Sequence, residues 1–170
     1  MRVLIITADG FEDTELICPM YRLREAGFQV DIAAPEWGEV TGKHGYHVSA
    51  NLSLDDVEPA SYRLLLLPGG KAPALLRETP KVLDIARAFA ADSRPIAAIC
   101  HGPLILLSAG LIQGKKATGY KTTARKLEAG GVMYEDSEVV VDGNIITSRE
   151  PLDIPAFMSE IMKAIAPAQD

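Results

Sequence analysis

Cysteine is scarce in this 170-residue sequence, which contains only Cys18 and Cys100. The two lie far apart in different local patterns, which is not a disulfide framework, so both are predicted to be free thiols. Metal-ligand patterns are lacking as well. His44 and His47 have no cysteine or carboxylate spaced with them as a metal site requires, so the sequence predicts no metal site.

Long apolar runs and basic stretches are also missing. The longest apolar runs, such as residues 64–68 and 104–107, fall far below the roughly 18 residues of a membrane span, so no membrane association is predicted. The first residues lack the apolar core and cleavage site of a signal peptide, so a cytoplasmic location is expected. Net charge is −6 and no basic run exceeds Lys115-Lys116 or Arg125-Lys126, which argues against a nucleic-acid partner.

What is present is typical of one ordinary domain, predicted to span residues 1–170. Hydrophobic residues make up 48% and charged residues 24%, and no repeat or linker interrupts the chain. Strand and helix patterns alternate, which predicts an α/β fold with a mostly parallel sheet and helices on both faces. An exposed hairpin is expected at residues 40–48, and fraying from Pro167 onward. The predicted strands cover residues 2–7, 29–34, 62–67, 95–99, 117–118, 139–141 and 145–148, and the predicted helices 13–26, 82–91, 104–109, 123–129 and 154–166.

Residues 97–103 (A-A-I-C-H-G-P) place Cys100 where a buried strand must turn sharply into a helix. This pattern is typical of a nucleophile elbow, in which small neighbours such as Gly102 permit the turn. The helix start favours a thiolate, and the N–H of His101 is positioned to hold an oxyanion. A second donor is expected from the Gly69-Gly70 turn, which ends the neighbouring strand. The alternative is that Cys100 is a small buried hydrophobe.

Acidic residues follow the first strand at the same predicted sheet edge. A protonated Glu near the thiol would donate a hydrogen bond to sulfur, and either Glu12 or Glu15 is expected in this role. Asp13 is expected to be solvated, and Cys18 to fill the core. The ring of His101 serves as an acid or base only if it points at the sulfur, which adjacency alone does not decide.

These motifs together resemble the PfpI-type family of intracellular cysteine peptidases and deglycases. The resemblance rests on F-E-D-x-E-L, L-P-G-G-x-A-P, A-I-C-H-G-P and V-V-D-G-N and covers nearly the whole chain. It implies a flavodoxin-like, class I glutamine amidotransferase-like three-layer sandwich. It also implies Cys100 as nucleophile, His101 beside it, Glu12 and Glu15 facing the sulfur, and Tyr120 lining the pocket.

The resemblance further implies a homo-oligomer, either a dimer or a larger ring such as a trimer of dimers. The proposed peptidase triad of such proteins is completed across a subunit interface by a Glu, at the position that is Ala74 here. Without that carboxylate, His101 loses its proposed orienting partner.

Three functions follow as hypotheses. The first is a cofactor-independent glyoxalase or deglycase, in which Cys100 attacks a dicarbonyl or its adduct and a hydroxy acid is formed. The second is a cysteine peptidase that acts on a peptide substrate. The third, of another class, is a redox-sensing or holdase stress protein in which Cys100 is oxidised without turnover.

Overall fold

A seven-stranded sheet forms the centre of the molecule, in a computed structural model that describes residues 1–166. Its strand order is β10-β11-β7-β6-β1-β2-β5, and every neighbouring pair is parallel except β10 with β11. Two small ribbons, β3-β4 and β8-β9, lie outside this sheet. The strands are β1 (Arg2–Ile6), β2 (Gln29–Ala34), β3 (Gly38–Thr41), β4 (His47–Ala50), β5 (Leu52–Ser53), β6 (Leu65–Leu67), β7 (Ile96–Ile99), β8 (Lys116–Ala117), β9 (Met133–Tyr134), β10 (Val139–Asp142) and β11 (Ile145–Ser148).

In the part of the chain that the structure describes, six α-helices surround the sheet. They are α1 (Asp13–Glu25), α2 (Ala72–Leu76), α3 (Pro80–Ala91), α4 (Pro103–Ser108), α5 (Ala124–Ala129) and α6 (Ile154–Ile165). Helix α1 packs with α6, while α4 packs with α2 and α3, so two separate helical layers enclose the sheet. Within residues 1–166, no helix has both the length and the apolar character that crossing a membrane requires.

The central strands are apolar throughout because helices cover both of their faces. All residues of β6 and β7 are buried, and so are residues 3–6 of β1. Ile5 of β1 pairs with Leu66 of β6, which in turn pairs with Ala97 of β7. These three adjacent parallel strands therefore end at one edge of the sheet, and the loops that follow them meet there.

The predicted α/β sandwich with a mostly parallel sheet is confirmed. The hairpin expected at residues 40–48 is present as β3 and β4, but its turn returns to the edge of the main sheet. Helix α2 and strands β5 and β9 were not predicted, because each is only two to five residues long. The expected fraying from Pro167 onward lies outside the described residues.

Candidate active site

Cys100 occupies the turn between β7 and α4 with φ of 64°, a left-handed conformation that residues other than glycine rarely adopt. Its N–H donates to the carbonyl of Ser148 at 3.0 Å, and its carbonyl accepts from the N–H of Tyr120 at 2.8 Å. The turn also requires Gly102, because a Cβ there would overlap the carbonyl oxygen of Leu67. Neighbouring segments thus hold a strained backbone that presents the thiol to a pocket, as in a nucleophile elbow.

The ring of His101 lies next to the sulfur, with Nδ1 3.2 Å from Cys100 Sγ. Burial, and then repulsion from the Lys43 ammonium, lower the pKa of His101, so the imidazole is neutral at pH 7 and able to accept a proton. The Tyr120 ring packs beside it, with centroids 5.3 Å apart. This geometry gives Cys100 an adjacent base, which the sequence pattern left undecided.

Of the two predicted glutamates, Glu15 is the one coupled to the thiol. It extends from α1 into the pocket floor, is fully buried, and accepts the N–H of Gly69 through Oε2 at 2.8 Å. Oε1 has no hydrogen-bond partner within residues 1–166. Burial, and then the charge of Glu12, raise the pKa of Glu15 to about 8. Glu15 is therefore mostly protonated at neutral pH and has a proton to donate.

The Cys100 thiol is 7% exposed and is itself held in the protonated form. Burial, and then the neighbouring Glu15 carboxylate, raise its pKa to about 12, while the N–H groups of Gly70 and His101 act in the opposite direction. Of these influences on the thiol pKa, the sequence predicted only the backbone N–H groups, which favour a thiolate. In the structure burial outweighs those donors, so the thiol needs a base when it attacks.

The Gly69-Gly70 turn supplies one free donor to the pocket rather than two. Gly70 adopts φ of 86° and directs its N–H toward the sulfur. Gly69 was predicted as a second substrate or oxyanion contact, but in this structure its N–H is bonded to Glu15 at 2.8 Å. A Cβ on Gly69 would also lie 2.6 Å from Cβ of Cys100, so the residue must be small. The backbone N–H groups that face the sulfur are therefore those of Gly70 and His101.

Glu12 faces the pocket through an ion pair that the sequence did not predict. Its Oε2 lies 2.6 Å from Nζ of Lys43 and 3.5 Å from Nε2 of His44, both in the β3-β4 turn. Lys43 was missed because nothing in the sequence of this hairpin turn, which contains two glycines, indicates that the turn folds back against the start of α1. Lys43 and Glu12 are 31 residues apart in sequence. The ammonium places a positive charge among the acidic groups of the site.

Two expectations for α1 are wrong. Asp13 was expected to be solvated but is 8% exposed, because its two oxygens accept the N–H groups of His44 and Tyr46 at 2.9 Å each. Cys18 was expected to fill the core but is exposed, because Leu16 and Met20 occupy the buried face of the helix instead.

A pocket of about 910 Å³ at the carboxyl ends of β1, β6 and β7 is lined by Glu12, Glu15, Gly70, Cys100 and His101. Tyr120 lines the same pocket, and one wall is formed by α2 through Pro73 and the exposed Ala74. A volume of this size suits a small molecule or a side-chain adduct rather than a folded substrate.

One group of three potential metal ligands occurs within residues 1–166, namely Glu12, Asp13 and His44, with ligand atoms within 4.8 Å of one another. The Asp13 oxygens are already bonded to two backbone N–H groups, and Glu12 is paired with Lys43. The ammonium would oppose a cation at this place, so the group does not support a metal site.

Comparisons with known proteins agree with this architecture. The sequence profile of the DJ-1/PfpI family matches residues 1–164. The chain is 46% identical over 165 residues to "Deglycase PfpI" of Pyrococcus furiosus, covering 97% of this chain and 99% of that protein. It is 40% identical over 165 residues to "Putative cysteine protease YraA" of Bacillus subtilis, covering 96% and 98%.

A solved structure shows the same fold. A two-domain protein of Anabaena variabilis, described as containing DJ-1/ThiJ/PfpI-like and ferritin-like domains, superimposes with a TM-score of 0.95 and 31% identity. The match covers 100% of this chain and 51% of that one.

Proposed function

Because this chain belongs to the DJ-1/PfpI family, we propose that it is a cofactor-independent, cysteine-dependent enzyme that acts on dicarbonyls or on their adducts with protein amines and thiols. The expected reaction is of the glyoxalase or deglycase type and gives a hydroxy acid. The observation that carries the proposal is the neutral His101 ring, 3.2 Å from Sγ of a thiol that Glu15 also faces.

The first step is addition of sulfur to the aldehyde carbon. Nδ1 of His101 takes the thiol proton as the S–C bond forms, and the carbonyl π electrons move to oxygen. The N–H groups of Gly70 and His101 are positioned to hold that oxyanion, which then receives a proton and becomes a hemithioacetal.

The second step moves a proton from the former aldehyde carbon to the neighbouring carbonyl carbon. Glu15 suits this transfer because its pKa of about 8 is near neutral pH, so the carboxylate can take a proton and the acid can return it. An enediol forms and collapses to a thioester of the hydroxy acid. Water then cleaves the thioester, restoring the thiol, so that methylglyoxal plus water would give lactate without any external oxidant.

The test is conversion of methylglyoxal to lactate, measured as loss of the dicarbonyl and gain of the acid. Wild type and Cys18→Ser are expected to turn over at equal rates, because Cys18 is exposed on α1 and does not line the pocket. Cys100→Ser is expected to be inactive. Lactate formation that survives Cys100→Ser would overturn the proposal.

A peptidase remains the second candidate, supported by the name of the Bacillus subtilis relative and by the Cys100–His101 contact. Within residues 1–166 no carboxylate hydrogen-bonds to His101, and Ala74 offers only a methyl group at the pocket wall. Casein hydrolysis by wild type and by Ala74→Glu separates the two candidates. A gain confined to Ala74→Glu would indicate a peptidase site that lacks its third member.

We also propose a cytoplasmic homo-oligomer, either a dimer or a trimer of dimers. Trp37 and Leu152 are 77% and 86% exposed, and Leu75 beside the pocket wall is exposed as well. Large apolar side chains in water favour contacts between copies. Light scattering after gel filtration tests this proposal, and a monomer at micromolar concentration would contradict it.

A further inference from the structure

The carboxylate of Asp13 joins the turn between β3 and β4, residues 42–46, to the start of α1. Oδ2 of Asp13 accepts the N–H of His44 and Oδ1 accepts the N–H of Tyr46, both at 2.9 Å. One side chain thus satisfies two backbone donors of a loop that lies about 30 residues away in sequence. Hydrogen bonds to an ionised acceptor are stronger than neutral ones, so this anchor is substantial.

The contact is also close in a steric sense. A Cβ added to Gly42 would lie 2.5 Å from the Asp13 carboxyl carbon, so only glycine allows the turn to approach so near. Backbone bonds complete the attachment, since Lys43 N–H donates to the carbonyl of Phe11 and Gly10 N–H donates to that of Thr41, each at 2.8 Å. The residues between these anchors have little freedom to move away from α1.

The side chain that this attachment places in the site is Lys43. Its ammonium lies 2.6 Å from Oε2 of Glu12 and faces the same pocket as Cys100, Glu15 and His101. The pocket is also lined by the cations Lys71, Arg77 and Lys126, and 34% of the Lys43 side chain is itself exposed. Lys43 differs from the other lysines in its ion pair with Glu12, a buried acid of the site.

We propose that Asp13 is a positioning residue for Cys100 chemistry, and that it acts through Lys43: it fixes the 42–46 turn so that the ammonium stays against Glu12 and beside the reacting groups. The proposal deepens the proposed function and rests on it for the meaning of turnover. Lys43 favours negative charge on the sulfur and on the oxyanion, whereas a freely moving Lys43 would remain in water and exert a screened effect.

The electrostatic influences agree with this arrangement. Hydrogen bonds from His44 and Tyr46 keep the pKa of Asp13 below its ordinary value despite burial, so the anchor is ionised at neutral pH. Lys43 lowers the pKa of both Glu15 and His101, and its own pKa is raised by Glu12. Displacement of Lys43 would therefore raise the pKa of His101. More of the imidazole would then already carry a proton near neutral pH, and less of it could accept the thiol proton.

The titratable and charged groups that line the pocket with His101 come from several elements. They are Cys100 beside it, Glu12 and Glu15 near the start of α1, Lys43 and His44 from the 42–46 turn, Lys71, Arg77 and Glu78 at the two ends of α2, and Tyr120, Lys126 and Glu150. Of these groups, Lys43 and His44 lie on the turn that Asp13 holds through His44 and Tyr46, and the His44 side chain is 65% exposed. This makes Lys43 the residue to test against Asp13.

The experiment is a double-mutant cycle of Asp13→Asn and Lys43→Met in a Cys18→Ser background. Iodoacetamide alkylation of Cys100 is measured against pH, and the His101 ring is titrated by NMR with the exposed His47 as internal reference. Each single variant is expected to slow alkylation at pH 8 by roughly three- to tenfold and to raise the pKa of His101. Once Lys43 is gone, Asp13→Asn should change the rate by less than about twofold.

Additive effects in the cycle would overturn the proposal, because they would mean that Asp13 acts independently of Lys43. Lys43→Arg should restore most of the rate, since it retains the charge. Asp31→Asn removes a buried carboxylate remote from the pocket and is expected to leave the Cys100 profile unchanged. If Asp13→Asn does not fold, Gly42→Ala displaces the turn from the other side and takes its place in the cycle.

The readouts also separate this proposal from the proposed function. If the effects of Asp13→Asn and Lys43→Met are non-additive but the protein never converts methylglyoxal, the positioning role of Asp13 stands and the glyoxalase proposal fails. Turnover with an uncoupled cycle would retain the enzyme and remove the positioning role.

Discussion

The carboxylate of Glu15 accepts the N–H of Gly69 at 2.8 Å, which joins the acid on α1 to the loop that follows the neighbouring strand. This bond uses the Gly69 donor and holds the acid beside Cys100, while Oε1 of Glu15 has no hydrogen-bond partner among the described residues. Two groups that would each be negative when ionised are thereby kept together in a buried place. Repulsion between the ionised forms of Glu15 and Cys100 disfavours ionisation of both groups at once, and this repulsion governs how the site responds to pH.

Replacement of Glu15 by Gln is expected to lower the pKa of Cys100. The substitution removes the like charge that, after burial, most raises the thiol pKa. The midpoint of iodoacetamide alkylation should therefore move to lower pH, while lactate formation should fall roughly 10²- to 10⁴-fold because the proton shuttle is lost. Glu25→Gln on the exposed end of α1 is the control and should leave both measurements unchanged. An alkylation midpoint that rises would contradict the like-charge account.

The same substitution has a predicted effect on stability. Glu15 has a pKa of about 8 in the folded state against an ordinary 4.5, so the folded protein holds this proton more tightly than the unfolded chain does. Stability contributed by the protonated form is complete below about 4.5 and declines as pH rises toward 8. Glu15→Gln should remove that decline. Urea unfolding at pH 5 and pH 8 measures it, and an equal decline in both proteins would refute this explanation.

His101 is predicted to matter as a base rather than as packing. With Nδ1 3.2 Å from the sulfur and a lowered pKa, it is the group placed to take the thiol proton. His101→Asn should lower kcat by roughly 10²- to 10⁴-fold with little change in melting temperature. His47→Asn, in the exposed hairpin, should retain full activity. If His101→Asn keeps wild-type kcat, proton transfer must take another route.

Much of this site follows from local sequence patterns. An apolar strand that ends in Cys-His-Gly-Pro predicts an elbow at Cys100, and strand order places the Gly69-Gly70 turn beside it. The α/β class follows equally from the alternation of buried strands with amphipathic helices. These features depend on neighbours within a few residues, where patterns are informative.

The remainder depends on contacts between distant segments. Whether Gly69 donates to substrate or to Glu15 is decided by how α1 packs against the sheet, which no pattern within the turn reveals. Burial of Asp13 and the position of Lys43 depend in the same way on a hairpin folding back. The pKa of Cys100 was misjudged because nearby donors can be read from the sequence, whereas burial cannot.

Gly102 is predicted to be irreplaceable for steric rather than conformational reasons. Its backbone is helical, with φ of −54°, yet a Cβ would overlap the carbonyl oxygen of Leu67. Gly27 is the matched control, because its φ of 85° imposes strain on alanine but nothing lies near the added atom. Gly27→Ala should cost about 1–2 kcal/mol of stability and leave turnover intact. Gly102→Ala, in contrast, is expected to abolish turnover in addition to lowering stability. An active Gly102→Ala enzyme would show that the elbow tolerates movement.

Asp31 is expected to control acid stability at a place remote from the pocket. Its buried carboxylate is bonded to Arg2, Asn51 and Tyr62, and after the opposing effect of burial these bonds lower its pKa below the ordinary 3.8. A lowered folded pKa gives stability that is present above the unfolded value and lost as pH falls through the folded one. Asp31→Asn should therefore reduce the free energy of unfolding by about 1–3 kcal/mol at pH 7 and by progressively less toward pH 2. Because the carboxylate lies outside the pocket, methylglyoxal turnover per folded molecule should be unchanged. Denaturant unfolding across this pH range measures the difference, and a constant deficit at every pH would mean that the loss comes from packing rather than from charge.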